Sequence, residues 1–275
     1  MTHLNKEQQK ASKPDGGMEL VIAGAGTGKT KTLVEKVKNI ILGSNFGPEN
    51  ILILTFSRKA AIEIKERVKE EIGDCGGRIS SGTFHSFCLH FLKENKDIFL
   101  KKYKYKKFPT ILEDKKRDEI IMELIIPNLS KFRGLPAHII FSLMKSTSNL
   151  KNEMLEKLFE VGISDELEYL RNSFKELKIR NNFFEFEDMM NYAIFLLKEY
   201  DTLRMNAHKR YGYVLVDEFQ DTSDNNLELL KLLLPHDNAN LFAVGDDWQA
   251  IYGFRDSKVE YIVNINETTK TGASS

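Results

Sequence analysis

The chain has 275 residues, and 40 Lys and Arg balance 40 Asp and Glu, so its formal net charge is zero. That balance excludes a uniformly basic nucleic-acid coat but leaves room for a local basic groove, because net charge averages over faces. No apolar run approaches the ~20 residues of a membrane span, the start MTHLNKEQQKA is too polar for a signal peptide, and Cys75 and Cys88 have neither metal nor disulfide spacing, which points to a reducing cytoplasm.

Short apolar runs alternate with helical patterns at both ends of the chain. Residues 18–23 (MELVIA) predict a strand that stops at a glycine cluster. Over 31–42, Leu33, Val34, Val37, Ile40 and Ile41 share one helical face. The run ILILTF at 51–56 predicts a second strand, followed by a helix burying Ala61, Ile64, Val68 and Ile72. Late in the chain, 213–217 and 240–245 predict two more strands around a Leu-rich helix at 225–234. Continuous apolar strands between amphipathic helices describe an α/β domain whose parallel sheet is covered on both faces. Between about 99 and 182 the pattern is helical, with breaks at Pro109, Pro127, Gly134 and Pro136 and no predicted strand. The expected organisation is an α/β domain in two segments, 1–98 and 183–265, interrupted by a mostly helical insertion at 99–182 and followed by a polar tail at 266–275.

A phosphate-binding loop is predicted where the first strand gives way to a helix. Ala23, Gly24, Ala25, Gly26, Thr27, Gly28, Lys29 and Thr30 stand in that context. Small residues let backbone N–H groups turn toward phosphate oxygens, and the helix N-terminus adds a favourable dipole. Lys29 is placed to reach the β- and γ-phosphates and the Thr30 hydroxyl to ligate Mg2+. Ala23 occupies the leading position, where this loop usually has glycine.

Such a loop needs an acidic partner, and VLVDEFQDT at 214–222 supplies one. Asp217 at the strand end is the candidate to hold Mg2+ through its water shell, and Glu218 to orient or deprotonate the attacking water. Asp221 and Thr222 are expected to cap the following helix. Residues 213–260 hold ten acids and three bases, a locally acidic setting for a cation.

Seven segments recur in a recognisable order: LNKEQ at 4–8, AGAGTGKT at 23–30, TFSRKAA at 55–61, GTFHS at 82–86, EFEDMM at 185–190, VLVDEFQDTS at 214–223 and VGDDWQAIYGFR at 244–255. In this order they resemble the N-terminal half of UvrD/Rep-type superfamily 1 DNA helicases. The FSRKAA and GDDWQ wording is most similar to the DNA helicase IV branch. The resemblance implies a RecA-like P-loop NTPase fold with ATP and Mg2+ as cofactors. Single-stranded DNA and a duplex junction are the implied partners, movement is 3′–5′, and DNA repair is the setting. It assigns Gln8 to the adenine edge, and Gln249 and Arg255 to the γ-phosphate. Phe56, Arg58, Thr83, His85, Tyr252 and Phe254 fall along single-stranded DNA. Stacking on aromatic faces is sequence-tolerant and contributes ~1–3 kcal/mol per base, which suits a motor that steps along any sequence.

The DNA-side assignments have structural competitors. Phe56 follows an apolar strand and equally suits the core. His85 alone reads as a structural histidine, Trp248 as a brace for its loop, and Cys88 as core. Phe254 stands where Trp is commonest in the family, and Arg58 where many relatives have Asn. The run KKYKYKK at 101–107 has five lysines and two tyrosines; a duplex DNA surface and a solvated helix face are both open. An unrelated phosphate-loop kinase or GTPase would not account for DEFQDT and QAIYGFR.

The resemblance also implies a second RecA-like domain that supplies arginines to the phosphates and completes the DNA track. Its motifs are expected beyond residue 265, where this sequence has only NETTKTGASS. An arginine supplied across a phosphate site is worth ~10³–10⁵ in rate. The expected product is therefore half a motor: an ATP-binding half that hydrolyses ATP when completed by its second half, or a truncated ATP- and single-strand-binding module without appreciable turnover.

Overall fold

The computed structural model describes residues 4–24, 26–132, 134–145, 162–235 and 238–246. The first helix, α1 (Lys6–Ala11), starts with a reciprocal capping box: the Asn5 side chain accepts the Gln8 N–H, and the Gln8 side chain accepts the Asn5 N–H. Then come β1 (Met18–Ile22), α2 (Lys29–Gly43), β2 (Ile51–Thr55), α3 (Arg58–Ile72), β3 (Ser80–Thr83), α4 (Phe84–Glu94) and α5 (Lys96–Tyr103). The middle continues with β4 (Thr110–Ile111), α6 (Asp114–Asn128), α7 (Ala137–Lys145), α8 (Ser164–Arg180) and β5 (Phe183–Phe184). The last elements are α9 (Phe186–Glu199), α10 (Asp201–Arg210), β6 (Tyr213–Val216), α11 (Asp224–Leu233) and β7 (Leu241–Gly245).

Five strands form one sheet in the order β1-β7-β6-β2-β3, and every neighbouring pair is parallel. The fold is the α/β parallel-sheet class that the alternating runs predict. In β2, β6 and β7 every residue is buried, which is why these strands read as unbroken apolar runs. On one face Leu33, Val34, Val37 and Ile40 of α2 and Ile64 and Val68 of α3 join Ile53, Leu215 and Phe242 in a single core. Ile41 and Ile72 pack against that core only partly buried. The strand β3 (SSGT) has no apolar run to announce it; its place at the sheet edge is set by register, from Leu52 opposite Ser80 to Thr55 opposite Thr83.

The chain divides into two compact units. One contains the described residues up to Phe91 and from Met190 onward; the other is Leu92–Met189. In the second unit Ile120, Ile121 and Ile125 of α6, Ile140 and Leu143 of α7, and Leu167 and Leu170 of α8 form a separate core. Two details differ from the sequence expectation. The 99–182 stretch does contribute a strand, because Thr110–Ile111 pairs in parallel with Phe183–Phe184. Two residues are too short to leave a periodic signal. Pro127 does not break its helix: α6 runs through it and ends at Asn128, since a proline in the last turn disturbs few remaining bonds. Among the described residues no helix is long and apolar enough to cross a membrane.

Candidate functional site

Because all five strands are parallel, their C-terminal ends share one edge of the sheet. In such sheets ligands bind at that edge, where the connections carry chemistry. Here it receives the loop after β1, Phe56 after β2, Thr83 at the end of β3, Asp217 and Glu218 after β6, and Asp246 after β7.

The loop after β1 is fixed at both ends. Ala23 N–H donates to the Gly245 carbonyl at 2.9 Å, which extends the β1–β7 ladder into the loop. Thr27 Oγ1 donates to the Gly24 carbonyl at 2.7 Å, closing the turn on itself. Gly26 and Gly28 adopt φ of 74° and 90°, left-handed conformations that only glycine takes without strain. Gly28 is also the N-cap of α2, and no side chain caps that end, so the first N–H groups of a 15-residue helix point toward the cleft unclaimed by a capping side chain. Lys29 and Thr30 are the first two residues of α2.

Gln8 lies over this loop. Its Nε2 donates to the Thr27 carbonyl at 2.7 Å, and a Cβ placed on Gly28 would come within 2.9 Å of that nitrogen. A side chain at residue 28 would therefore displace Gln8. With its oxygen accepting the Asn5 N–H, the amide retains one N–H and one lone pair, the set that pairs with adenine N7 and N6.

Across the cleft stand the acids. Lys29 Nζ lies 3.3 Å from Glu218 Oε2 and 3.6 Å from Asp246 Oδ2. Both contacts are long for hydrogen-bonded ion pairs, as suits an ammonium that exchanges its partners for phosphate oxygens. Glu218 has φ 52°, an unusual left-handed conformation for a non-glycine residue. The side chain of Gln220 supports it: Nε2 donates to Glu218 Oε2 at 2.7 Å, while Oε1 accepts the Asp246 N–H at 3.0 Å. Gln220 thus ties the end of β6 to the end of β7.

Asp217 is 4% exposed, and its Oδ1 is buried without a hydrogen-bond partner. Burial first, and then the adjacent Glu218 charge, push its carboxyl up to about 6. An unsatisfied buried carboxylate oxygen at the end of β6 suits a hydrated Mg2+, which is held by one or two carboxylates plus phosphate oxygens. Thr30, at the head of α2, places a neutral hydroxyl-bearing residue on the lining of the same cleft. Among the described residues there is no cluster of three or more His, Cys, Asp and Glu that could hold a metal ion.

The cleft measures about 620 Å³ and is lined by Gly26, Lys29, Thr30, Phe56, Glu218 and Asp246, among others. Phe56 is half-buried and packs against Phe84, with ring centroids 5.3 Å apart. Arg58 and His85 are exposed near the same sheet edge. The Thr83 hydroxyl accepts the Ser86 N–H at 3.1 Å and so caps α4. Gln249, Tyr252, Phe254, Arg255, Trp248 and Ala25 lie outside the described residues, as does the 266–275 tail.

Three further expectations are corrected or refined. The N-cap of α11 is Ser223, whose side chain accepts the Asn226 N–H; Thr222 instead donates back to the Phe219 carbonyl. In the lysine run, Tyr105 is 5% exposed, and its hydroxyl donates to the Phe183 carbonyl at 3.0 Å, so it serves the core. Tyr103 is half-buried on Phe99, whereas all five lysines of 101–107 are exposed. Cys88 is fully buried, and burial raises its thiol to about 12, so it is core. Gln220 and Asp246 were not singled out from the sequence. An acid immediately after an apolar strand was the usable signal for Asp246, the same one that marks Asp217.

A model of the UvrD/REP helicase N-terminal domain matches residues 4–270. The ATP-dependent DNA helicase PcrA of Staphylococcus aureus is 30% identical over 273 residues, covering 97% of this chain and 36% of the relative. The protein of the same name from Staphylococcus epidermidis is 30% identical over 271 residues, with 96% and 36% covered. The chain thus spans 36% of the length of these relatives. Since the domain match runs through every element of the five-stranded sheet, the chain belongs to the UvrD/REP helicase N-terminal domain family.

Proposed function

We propose that this chain is the ATP-binding half of an ATP-dependent 3′–5′ DNA helicase and single-strand translocase, working in the cytoplasm. The observation that carries the reading is the cleft itself. A phosphate loop, a lysine held by long exchangeable contacts and a buried unsatisfied carboxylate converge on one sheet edge. Lys29 binds the β- and γ-phosphates, leaving Glu218 and Asp246 as it does so. Thr30 and Asp217 would hold Mg2+, which would supply charge neutralisation for the phosphates. Glu218, supported by Gln220, accepts the proton of the attacking water. Gln8 contacts the adenine edge. Gln249 and Arg255 report on the γ-phosphate.

On the DNA side Phe56, Arg58, Thr83 and His85, with Tyr252 and Phe254, line the path of a single strand. The exposed lysines of 101–107 meet duplex phosphates ahead of it. A second RecA-like domain, on the same or a separate polypeptide, supplies the arginines and the other half of the track. The two segments 1–98 and 183–265 act as the ATP-binding domain and 99–182 as its inserted subdomain.

The test is ATP hydrolysis with and without single-stranded DNA, by this chain alone and with the C-terminal half of a relative added. Slow turnover alone and DNA-stimulated turnover with the added half are expected. Strong DNA-stimulated turnover by the chain alone refutes the need for a second domain. No rescue by the added half favours an ATP- and DNA-binding module. Lys29→Ala should abolish nucleotide binding, and retained affinity means that the phosphate loop is misassigned.

A further inference from the structure

Lys36 is 0% exposed, in the middle of α2, yet it plays no part in the chemistry described above. Its ammonium donates to the Lys13 carbonyl and, at 2.6 Å, to Glu19 Oε1. It also lies 5.1 Å from the ring centroid of Phe242 and 5.9 Å from that of Tyr213. A buried ammonium is costly unless fully paired, and the surrounding core would accept an apolar side chain more readily. What the ammonium holds therefore matters.

It holds a strap. Residues 12–17 connect α1, which carries Gln8, to β1, and the Ser12, Lys13 and Asp15 carbonyls of that strap are claimed by side chains of the core domain. Asn39 Nδ2 donates to the Ser12 carbonyl at 2.8 Å. Lys36 takes the Lys13 carbonyl, and the Tyr213 hydroxyl donates to the Asp15 carbonyl at 2.7 Å. Pro14 between them lies against Gly43, where an added Cβ would come within 3.0 Å of its ring. Lys36, Asn39 and Gly43 all belong to α2, the helix whose first two residues are Lys29 and Thr30. One rigid element thus carries the phosphate ligands at its start and, about 10 Å further along at ~1.5 Å per residue, the anchors of the segment bearing Gln8.

We infer that Lys36, together with Asn39, is a positioning residue for base recognition: it holds the strap so that Gln8 stands at a fixed distance from the phosphate loop, and thereby sets the preference for adenine. The inference rests on the proposed reading of Gln8 as the base contact. An apolar residue at 36 would fill the space but release the Lys13 carbonyl, and Gln8 would lose its register. The phosphate loop would lose the Gln8 bond to the Thr27 carbonyl but stay held by Gly245 and by its own Thr27–Gly24 turn.

The experiment uses the 275-residue chain and a ribose-labelled fluorescent ADP, displaced in turn by MgATP, MgITP and Mg-tripolyphosphate. Inosine lacks the adenine amino donor, and tripolyphosphate has no base at all. The unsubstituted chain should prefer ATP to ITP. Lys36→Met should lower the ATP-to-ITP affinity ratio by about tenfold, the equivalent of one lost hydrogen bond, with tripolyphosphate affinity unchanged. Asn39→Ala, at a half-buried position, should lower it in the same direction, and keeps the test open if Lys36→Met does not fold. Gln8→Ala should abolish the preference altogether. If Gln8→Ala loses the preference while the folded anchor variants keep it, the positioning role is wrong. Loss of tripolyphosphate binding in step with ATP also overturns it, because that is general damage. If Gln8→Ala keeps the preference, the base contact is misassigned and the inference falls with it.

Discussion

Two lysines, one in each unit, are surrounded by acids in opposite ways. In the cleft Lys29 faces Glu218 at 3.3 Å and Asp246 at 3.6 Å, and Glu218 is 41% exposed. In the helical unit Lys178 is clamped by Glu185 at 2.5 Å and Asp188 at 2.6 Å, and its side chain is only 6% exposed. Asp188 additionally accepts the Glu185 N–H at 2.8 Å, so the second cluster is closed by backbone as well. Long contacts and a wet partner leave an ammonium exchangeable; short, dry ones make it permanent. Both clusters sit in recurring motifs, GKT with DEFQDT in one and EFEDMM in the other. The distances separate a candidate binding site from a structural rivet.

That contrast breaks most easily at Lys178. Removing it leaves two partly buried carboxylates facing each other, and breaking such a pair costs about 3 kcal/mol or more. Urea unfolding of Lys178→Ala should register that loss, whereas Lys29→Ala should cost less, because its contacts are longer and one of its two partners, Glu218, is exposed. Equal destabilisation by both substitutions would erase the distinction.

A smaller effect is expected at Asp217. Its carboxyl titrates near 6 in the folded chain against 3.8 ordinarily, so between those values the folded state binds more protons than the unfolded one. Stability from this group is therefore present below pH 3.8 and is lost as pH rises toward 6. At pH 7 without nucleotide, Asp217→Asn should be more stable by about 1–3 kcal/mol. Thermal melts should show the gap closing at pH 4, and the variant should lose the Mg2+ dependence of nucleotide binding. A less stable variant at pH 7 would mean that the buried carboxylate is satisfied rather than poised for a cation.

The smallest effect concerns the exposed lysines. Replacing Lys101, Lys102 and Lys104 with Glu should weaken duplex binding by about tenfold at low salt and flatten the slope of log affinity against log salt by about 2–3. An unchanged slope would make that run a solvated face, the reading that the inward turn of Tyr105 already favours for its aromatic half.

What could be read without coordinates was local. Small residues and GKT after an apolar run describe a phosphate loop because the turn needs those residue types at that spacing. β2, β6 and β7 were readable because burial on both faces demands uninterrupted apolar side chains. Where the cue was missing or shared, the reading faltered. SSGT carries no apolar pattern, and Ser223 competes with Asp221 and Thr222 for a cap that any of the three could chemically make.

By itself, then, the sequence determined the α/β class and the family, and it marked the candidate phosphate loop and acid pair, all of which depend on residue type and short spacing. The tertiary structure decided the strand order β1-β7-β6-β2-β3, and with it everything that acts across strands. Only that order brings Asp246 to Lys29, lets Gln220 bridge two strand ends, and turns Lys36 toward the strap beneath Gln8. Contacts between distant segments leave no period in the sequence, because each partner is an ordinary polar residue until the fold supplies the other.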